Sequence, residues 1–177
     1  MDITIFKDIK QTARPFYRNI NLILTRIQEG ASKDIVKKIR AEKDKENRNI
    51  LKQKLPAICF SGQFTKRADN AIKEHSGYIC LDFDGYKSNR DLLQEKERLS
   101  KDKFVYSVFI SPSGNGLKVL VKIPPIVDDH KSYFLSLQKY YDSEYFDKTC
   151  KNISRVCYES YDPLIHVNAH SSLWDKS

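Results

Sequence analysis

Two apolar, strand-forming runs, residues 104–110 and 117–123, are joined by only six residues, Ser111-Pro112-Ser113-Gly114-Asn115-Gly116. Six residues cannot hold a crossover helix, so the two strands must be antiparallel neighbours. That pair excludes any architecture made wholly of parallel strands linked by helices. Pro124-Pro125 stops the second strand, and a third strand is expected at residues 78–84.

Helical patterns surround these strands. Residues 19–29 read as a helix stopped by Gly30, and Ser32 reads as the N-cap of a longer helix running to about residue 52. Ile35, Val36, Ile39, Ile50 and Leu51 bracket a polar middle there. Further helices are expected at residues 66–74, at 89–100 with Leu92, Leu93 and Leu99 on the apolar side, and at 129–141 with Tyr133, Phe134, Leu137 and Tyr140 inward. Short strands are expected at residues 3–6, 57–60 and 155–161. The class is therefore α+β, a sheet backed by helices. The chain divides into a basic, mainly helical N-terminal extension (1–54) packed on a core (55–168), with a short tail (169–177), in one domain overall.

Charge is unevenly placed. Of 31 Lys/Arg and 23 Asp/Glu, residues 1–70 hold 16 and 8, while residues 71–177 hold 15 of each. The whole surplus of +8 lies in the first part, which suits contact with a polyanion and equally a solvated lysine-rich face. No apolar run approaches the roughly 18 residues of a membrane span. The first seven residues lack a signal-peptide layout, and the four cysteines are scattered, so a cytoplasmic protein with reduced thiols is expected.

Three stretches carry candidate chemistry. The first is Leu81-Asp82-Phe83-Asp84-Gly85. Side chains at i and i+2 of a strand share a face, so Asp82 and Asp84 point together, opposite Leu81 and Phe83. Two parallel carboxylates repel unless a cation, usually divalent, lies between them, although a strand running into an Asp-Gly turn would look the same. The second is the loop Ser113-Gly114-Asn115-Gly116 leading to Lys118, which could turn its amides toward a phosphate or serve as a plain hairpin turn. The third holds Asp147, Arg155 and Asp162, offering a third acid and a bidentate arginine. Zinc is not expected: Cys150-x6-Cys157 is too loose, and only His166-x3-His170 has a ligand-like interval.

In this order the stretches resemble the archaeo-eukaryotic primase–polymerase superfamily. More closely they are similar to its divergent branch, the virulence-associated protein E N-terminal domain family (BT4734-like), found with mobile elements and phages. Residues 55–62 and 155–163 also look like that branch, and the resemblance covers roughly residues 50–168. It implies an RRM-like core and nucleotidyl transfer, with Mg²⁺ or Mn²⁺ held by the catalytic acids Asp82, Asp84 and Asp147, Asp162 being the second choice for the third acid. Ser113, Gly114, Asn115, Gly116, Lys118 and Arg155 would bind a nucleoside triphosphate. The basic N-terminal segment would grip a single-stranded DNA or RNA template, and a helicase domain or protein is an implied partner. Such domains often continue into further ones. The superfamily usually carries histidine where Lys118 stands, and lysine would act on a triphosphate as a point charge.

Two other readings compete. One is a primase-like module that binds nucleic acid or nucleotide without catalysis. The other is a haloacid-dehalogenase-type phosphohydrolase, suggested by residues 81–85, Ser111, Lys118 and Asp128-Asp129. The gap from Ser111 to Lys118, far too short for a helical crossover, and Tyr86 argue against the latter.

Overall fold

All 177 residues are described by the computed structural model. The first part contains β1 (Asp2–Phe6), β2 (Phe16–Asn19), α1 (Ile20–Glu29), α2 (Lys33–Ala41) and α3 (Lys45–Lys52). Next come β3 (Ala57–Cys59), the ribbon β4 (Gly62–Phe64) and β5 (Ile72–His75), and β6 (Tyr78–Asp84). Then follow α4 (Asn89–Ser100), β7 (Val105–Ile110), β8 (Gly116–Lys122), α5 (His130–Tyr141), β9 (Cys157–Tyr158) and β10 (His166–Val167).

These strands form two four-stranded sheets, ordered β2-β1-β3-β9 and β10-β7-β8-β6, plus the β4-β5 ribbon. Every pairing is antiparallel, including the expected β7–β8 hairpin. The class is α+β. The first sheet draws β1 and β2 from the basic extension and β3 and β9 from the core, so the two parts share one sheet.

The β6–β8–β7 sheet is buried on both faces. One face packs Ile79, Leu81, Phe83, Val119 and Val121 against Leu92 and Leu99 of α4 and Phe134 and Leu137 of α5. The other packs Tyr106, Phe109 and Leu120 against Ile20, Ile23, Leu24 and Ile27 of α1, with Ile3 and Ile58 of the first sheet. Burial on both sides explains why β7 is apolar almost continuously rather than alternating. It also puts Asp82 and Asp84 in the crevice between the two sheets, on the face opposite Leu81 and Phe83.

Several local expectations need correction. The long helix is two, because Glu42 is extended and Asp44 starts a new N-cap by accepting from the Asn47 amide at 2.8 Å. Ser32 stands at the head of α2, but its hydroxyl goes to Glu159 instead of capping the helix. Residues 66–74 hold one 3₁₀ turn (Asp69–Ala71) and then β5, since Ile72–His75 is recruited as the partner of β4. Leu93 and Tyr140 are exposed, and Tyr141 takes the inward place. The last strand shrinks to Cys157–Tyr158 because the buried carboxylates of Glu159 and Asp162 turn away to ion pairs with Arg26 and Lys96. All four cysteines are free thiols, and no helix is long and apolar enough to cross a membrane.

Candidate metal and phosphate site

The β6–β8 register sets Asp82 opposite Lys118 and Asp84 opposite Gly116. Lys118 Nζ and Asp82 Oδ2 form a buried ion pair, which leaves Asp82 Oδ1 buried with no hydrogen-bond donor. Glycine at 116 makes room for Asp84: a Cβ there would collide with Asp84 Oδ1 and lie 2.9 Å from the Phe83 carbonyl.

Asp147 reaches the pair from the free edge of β6. Asp84 N–H donates to Tyr145 O at 2.8 Å, and Asp147 N–H donates to Asp82 O at 2.8 Å, with Phe146 bridged to Phe83 between them. Tyr145 stacks on Tyr86 at 4.2 Å, which fixes this added segment beside the strand end. Carboxylate oxygens of Asp82 and Asp147 and the Cys150 sulfur all lie within 4.8 Å of one another. Asp162, the other third-acid choice, is elsewhere. It is buried, takes Lys96 Nζ at 2.6 Å, and accepts from the amides of Ile110 and Leu164.

Above the acids opens a cavity of about 340 Å³. Asp82 and Asp84 line it together with four cations, Lys52, Arg67, Lys118 and Arg155. From the β7–β8 loop, Ser111, Pro112 and Ser113 line it, whereas Gly114, Asn115 and Gly116 do not. The loop is therefore less of an amide cradle than its sequence implies. The Ser111 amide donates to Gly116 O and the Gly114 amide to Ser111 O, both inside the turn. Arg40 braces the loop from outside by donating to Ser111 O at 3.1 Å and Tyr161 O at 2.9 Å.

Residues 50–166 match the family described as BT4734-like, N-terminal domain. The chain belongs to this family. No curated protein and no solved structure matches it. The matched stretch of this BT4734-like domain holds both acids, Asp147, the hairpin loop and all four cations of the cavity.

Electrostatics in the BT4734-like domain follow from crowding at the strand end. Desolvation of its inner side, then the Asp82 charge, pushes the Asp84 carboxyl up to about 6. Burial alone would lower the Lys118 ammonium, but Asp82 and Asp84 hold it above its ordinary value. Burial would likewise raise Asp147, yet hydrogen bonds from Cys150 and Thr149 and the Arg155 charge keep it below the usual carboxylate range. Cys150 is pushed up to about 12 by burial and by Asp147, so it stays a thiol and donates to Asp147 Oδ2 at 2.9 Å.

A divalent ion fits these residues. Asp82 Oδ1 lacks a donor, Asp147 is ionised beside it, and oxygen donors of this kind suit Mg²⁺ or Mn²⁺. Lys52 and Arg67 were not among the residues singled out from the sequence, and Ser111 stood there only as the start of the hairpin connection and in the phosphohydrolase reading. Lys52 ends a helix rich in charge, and no spacing rule marks Arg67.

Proposed function

We propose that this domain is a primase–polymerase-type nucleotidyltransferase acting on single-stranded nucleic acid with Mg²⁺ or Mn²⁺. The observation that carries this reading is the cavity, where four cations from separate segments surround two carboxylates, one with an orphaned oxygen. The four-stranded β10-β7-β8-β6 sheet backed by α4 and α5 supports reading it as the superfamily's RRM-like core. The bound ions would activate a 3′-hydroxyl and neutralise the leaving pyrophosphate. Asp82, Asp84 and Asp147 hold them, Ser113, Lys118 and Arg155 hold the triphosphate, and the basic extension holds the template in the cytoplasm of a cell carrying the mobile element. A phosphohydrolase of the haloacid-dehalogenase type would need parallel strands with crossovers, and every pairing here is antiparallel.

A primer-extension and de novo priming assay on single-stranded template, with Mn²⁺ and with Mg²⁺, tests the reading. Wild type should make product, and Asp82→Asn and Asp84→Asn should not. Equal activity in all three would overturn the site. One observation favours a second reading, a binding module without catalysis: Lys118 already neutralises Asp82 where the superfamily usually has histidine. In that case nucleotide binds by calorimetry and no product forms.

A further inference from the structure

We infer that Lys52 and Arg67 are phosphate-binding residues of this cavity, holding the oligophosphate end of a nucleotide from the side of the N-terminal helices. The inference rests on reading the cavity as a nucleotide site, and it adds a second pair of cations to Lys118 and Arg155.

Placement comes first. Lys52 is the last residue of α3, and Arg67 lies in the β4–β5 connection, where its amide is held by Thr12 O at 3.1 Å. Lys118 comes from β8, and Arg155 from the approach to β9. Four segments far apart in sequence thus deliver one cation each to one cavity.

Their lack of internal partners is the second observation. The most enclosed lysines are matched, Lys96 with Asp162 and Lys118 with Asp82, whereas Lys52 is half-buried and Arg67 exposed at the cavity rim. None of the ion pairs or side-chain hydrogen bonds of the chain uses Lys52 or Arg67. Lys52 is half-buried and close enough to Asp84 and Lys118 to feel both charges, and burial lowers its ammonium. A partly desolvated cation without a partner is a cost that an anionic ligand would offset.

A third observation points to the same ligand. Ser111 is only 4% exposed and lines the cavity, and its hydroxyl has no partner within the chain. A hydroxyl beside several cations is a ready donor to a phosphate oxygen. An ordinary solvated lysine would explain Lys52 alone. It would not explain the orphaned hydroxyl and the convergence of Arg67 on the same space.

Calorimetry on the full chain, with Mn²⁺ and either a nucleoside triphosphate or inorganic tripolyphosphate, tests this. Wild type should bind both ligands. Lys52→Met and Arg67→Met should each weaken both by about tenfold or more, since each removes a charge-assisted contact. Lys52→Arg should restore most of the loss, and the neighbouring Arg48→Met should stay close to wild type. Melting temperatures should not fall, because neither side chain has an internal partner to lose. If Lys52→Met binds like wild type while Arg155→Met is weakened, the inference fails and the nucleotide reading stands. Equal weakening by Arg48→Met and Lys52→Met would mean a diffuse field in place of a contact, and would also overturn it. Wild type that binds neither ligand would remove the nucleotide reading, and this inference with it.

Discussion

Lys118 and Asp82 face each other across the β6–β8 pair and close a buried ion pair at the floor of the cavity. The ammonium therefore sits on the same carboxylate that a metal would use, and it answers the repulsion between Asp82 and Asp84. Removing one partner of a buried pair leaves the other uncompensated, at a cost of about 3 kcal/mol. Lys118→Met should lose that much stability in urea denaturation without metal. Millimolar Mn²⁺ should restore more stability to the variant than it adds to wild type, since an ion can replace the missing charge. Identical midpoints with and without Mn²⁺ for the two proteins would sink the idea that Lys118 and a metal share Asp82.

The two candidate third acids make opposite predictions. Asp162 accepts from Lys96 and two amides in a buried setting, so Asp162→Asn should cost about 3 kcal/mol. Asp147 is about a quarter exposed, and as an amide it keeps both hydrogen bonds from Thr149 and loses only the weak one from Cys150, so Asp147→Asn should cost about 1 kcal/mol. Mn²⁺ affinity measured by calorimetry should collapse in Asp147→Asn. Unchanged affinity there would remove Asp147 from the metal site.

What could be read from the sequence was whatever local period and chain length decide. Alternation put Asp82 and Asp84 on one face with Leu81 and Phe83 on the other, and the six-residue connection fixed the antiparallel β7–β8 pair. The helix at Asn89–Ser100 followed from its own pattern, with Ser88 capping it by accepting from the Asp91 amide at 3.1 Å. Tertiary closure decided the rest. Lys52 and Arg67 enter the cavity only because α3 and the β4–β5 ribbon fold over the strand ends. Asp147 and Asp162 are both loop acids near basic residues, and only the edge pairing of residues 145–147 with β6 brings Asp147 rather than Asp162 beside Asp82. Strands as short as Cys157–Tyr158 and His166–Val167 carry no period at all.

A buried histidine pair should make the fold sensitive to mild acid. Gly77 N–H donates to His75 Nδ1 at 2.9 Å, so His75 carries its proton on Nε2 and donates to His130 Nδ1 at 3.0 Å. Burial lowers His75 to about 4; burial and then the charge of His75 lower His130 to about 4, and Asp69 opposes this only in part. The unfolded chain thus binds more protons between about 6.5 and 4, so stability is full above that window and falls as pH drops through it. The loss is on the order of 3 kcal/mol for either histidine. Urea midpoints between pH 7 and pH 4.5 should fall less steeply in His130→Gln than in wild type. Parallel slopes would show that other groups cause the acid loss.

Gly116 and Gly85 flank Asp84 in space and in sequence, and they should respond differently to alanine. Gly85 has φ of +89° with nothing within 4 Å of an added Cβ, so Gly85→Ala meets only backbone strain, about 1 kcal/mol. At Gly116 the new methyl would occupy the space of the Asp84 carboxylate and press on the Phe83 carbonyl. The strand pair cannot open there, because Asp82 and Lys118 hold it two residues away. Asp84 must therefore swing out of the cavity. Gly116→Ala should cost about 2 kcal/mol, in the range of overpacking a tight site, and should abolish Mn²⁺ binding. Gly85→Ala should retain Mn²⁺ binding. Retention in both variants would show that Asp84 does not contribute to the metal site from its place opposite Gly116.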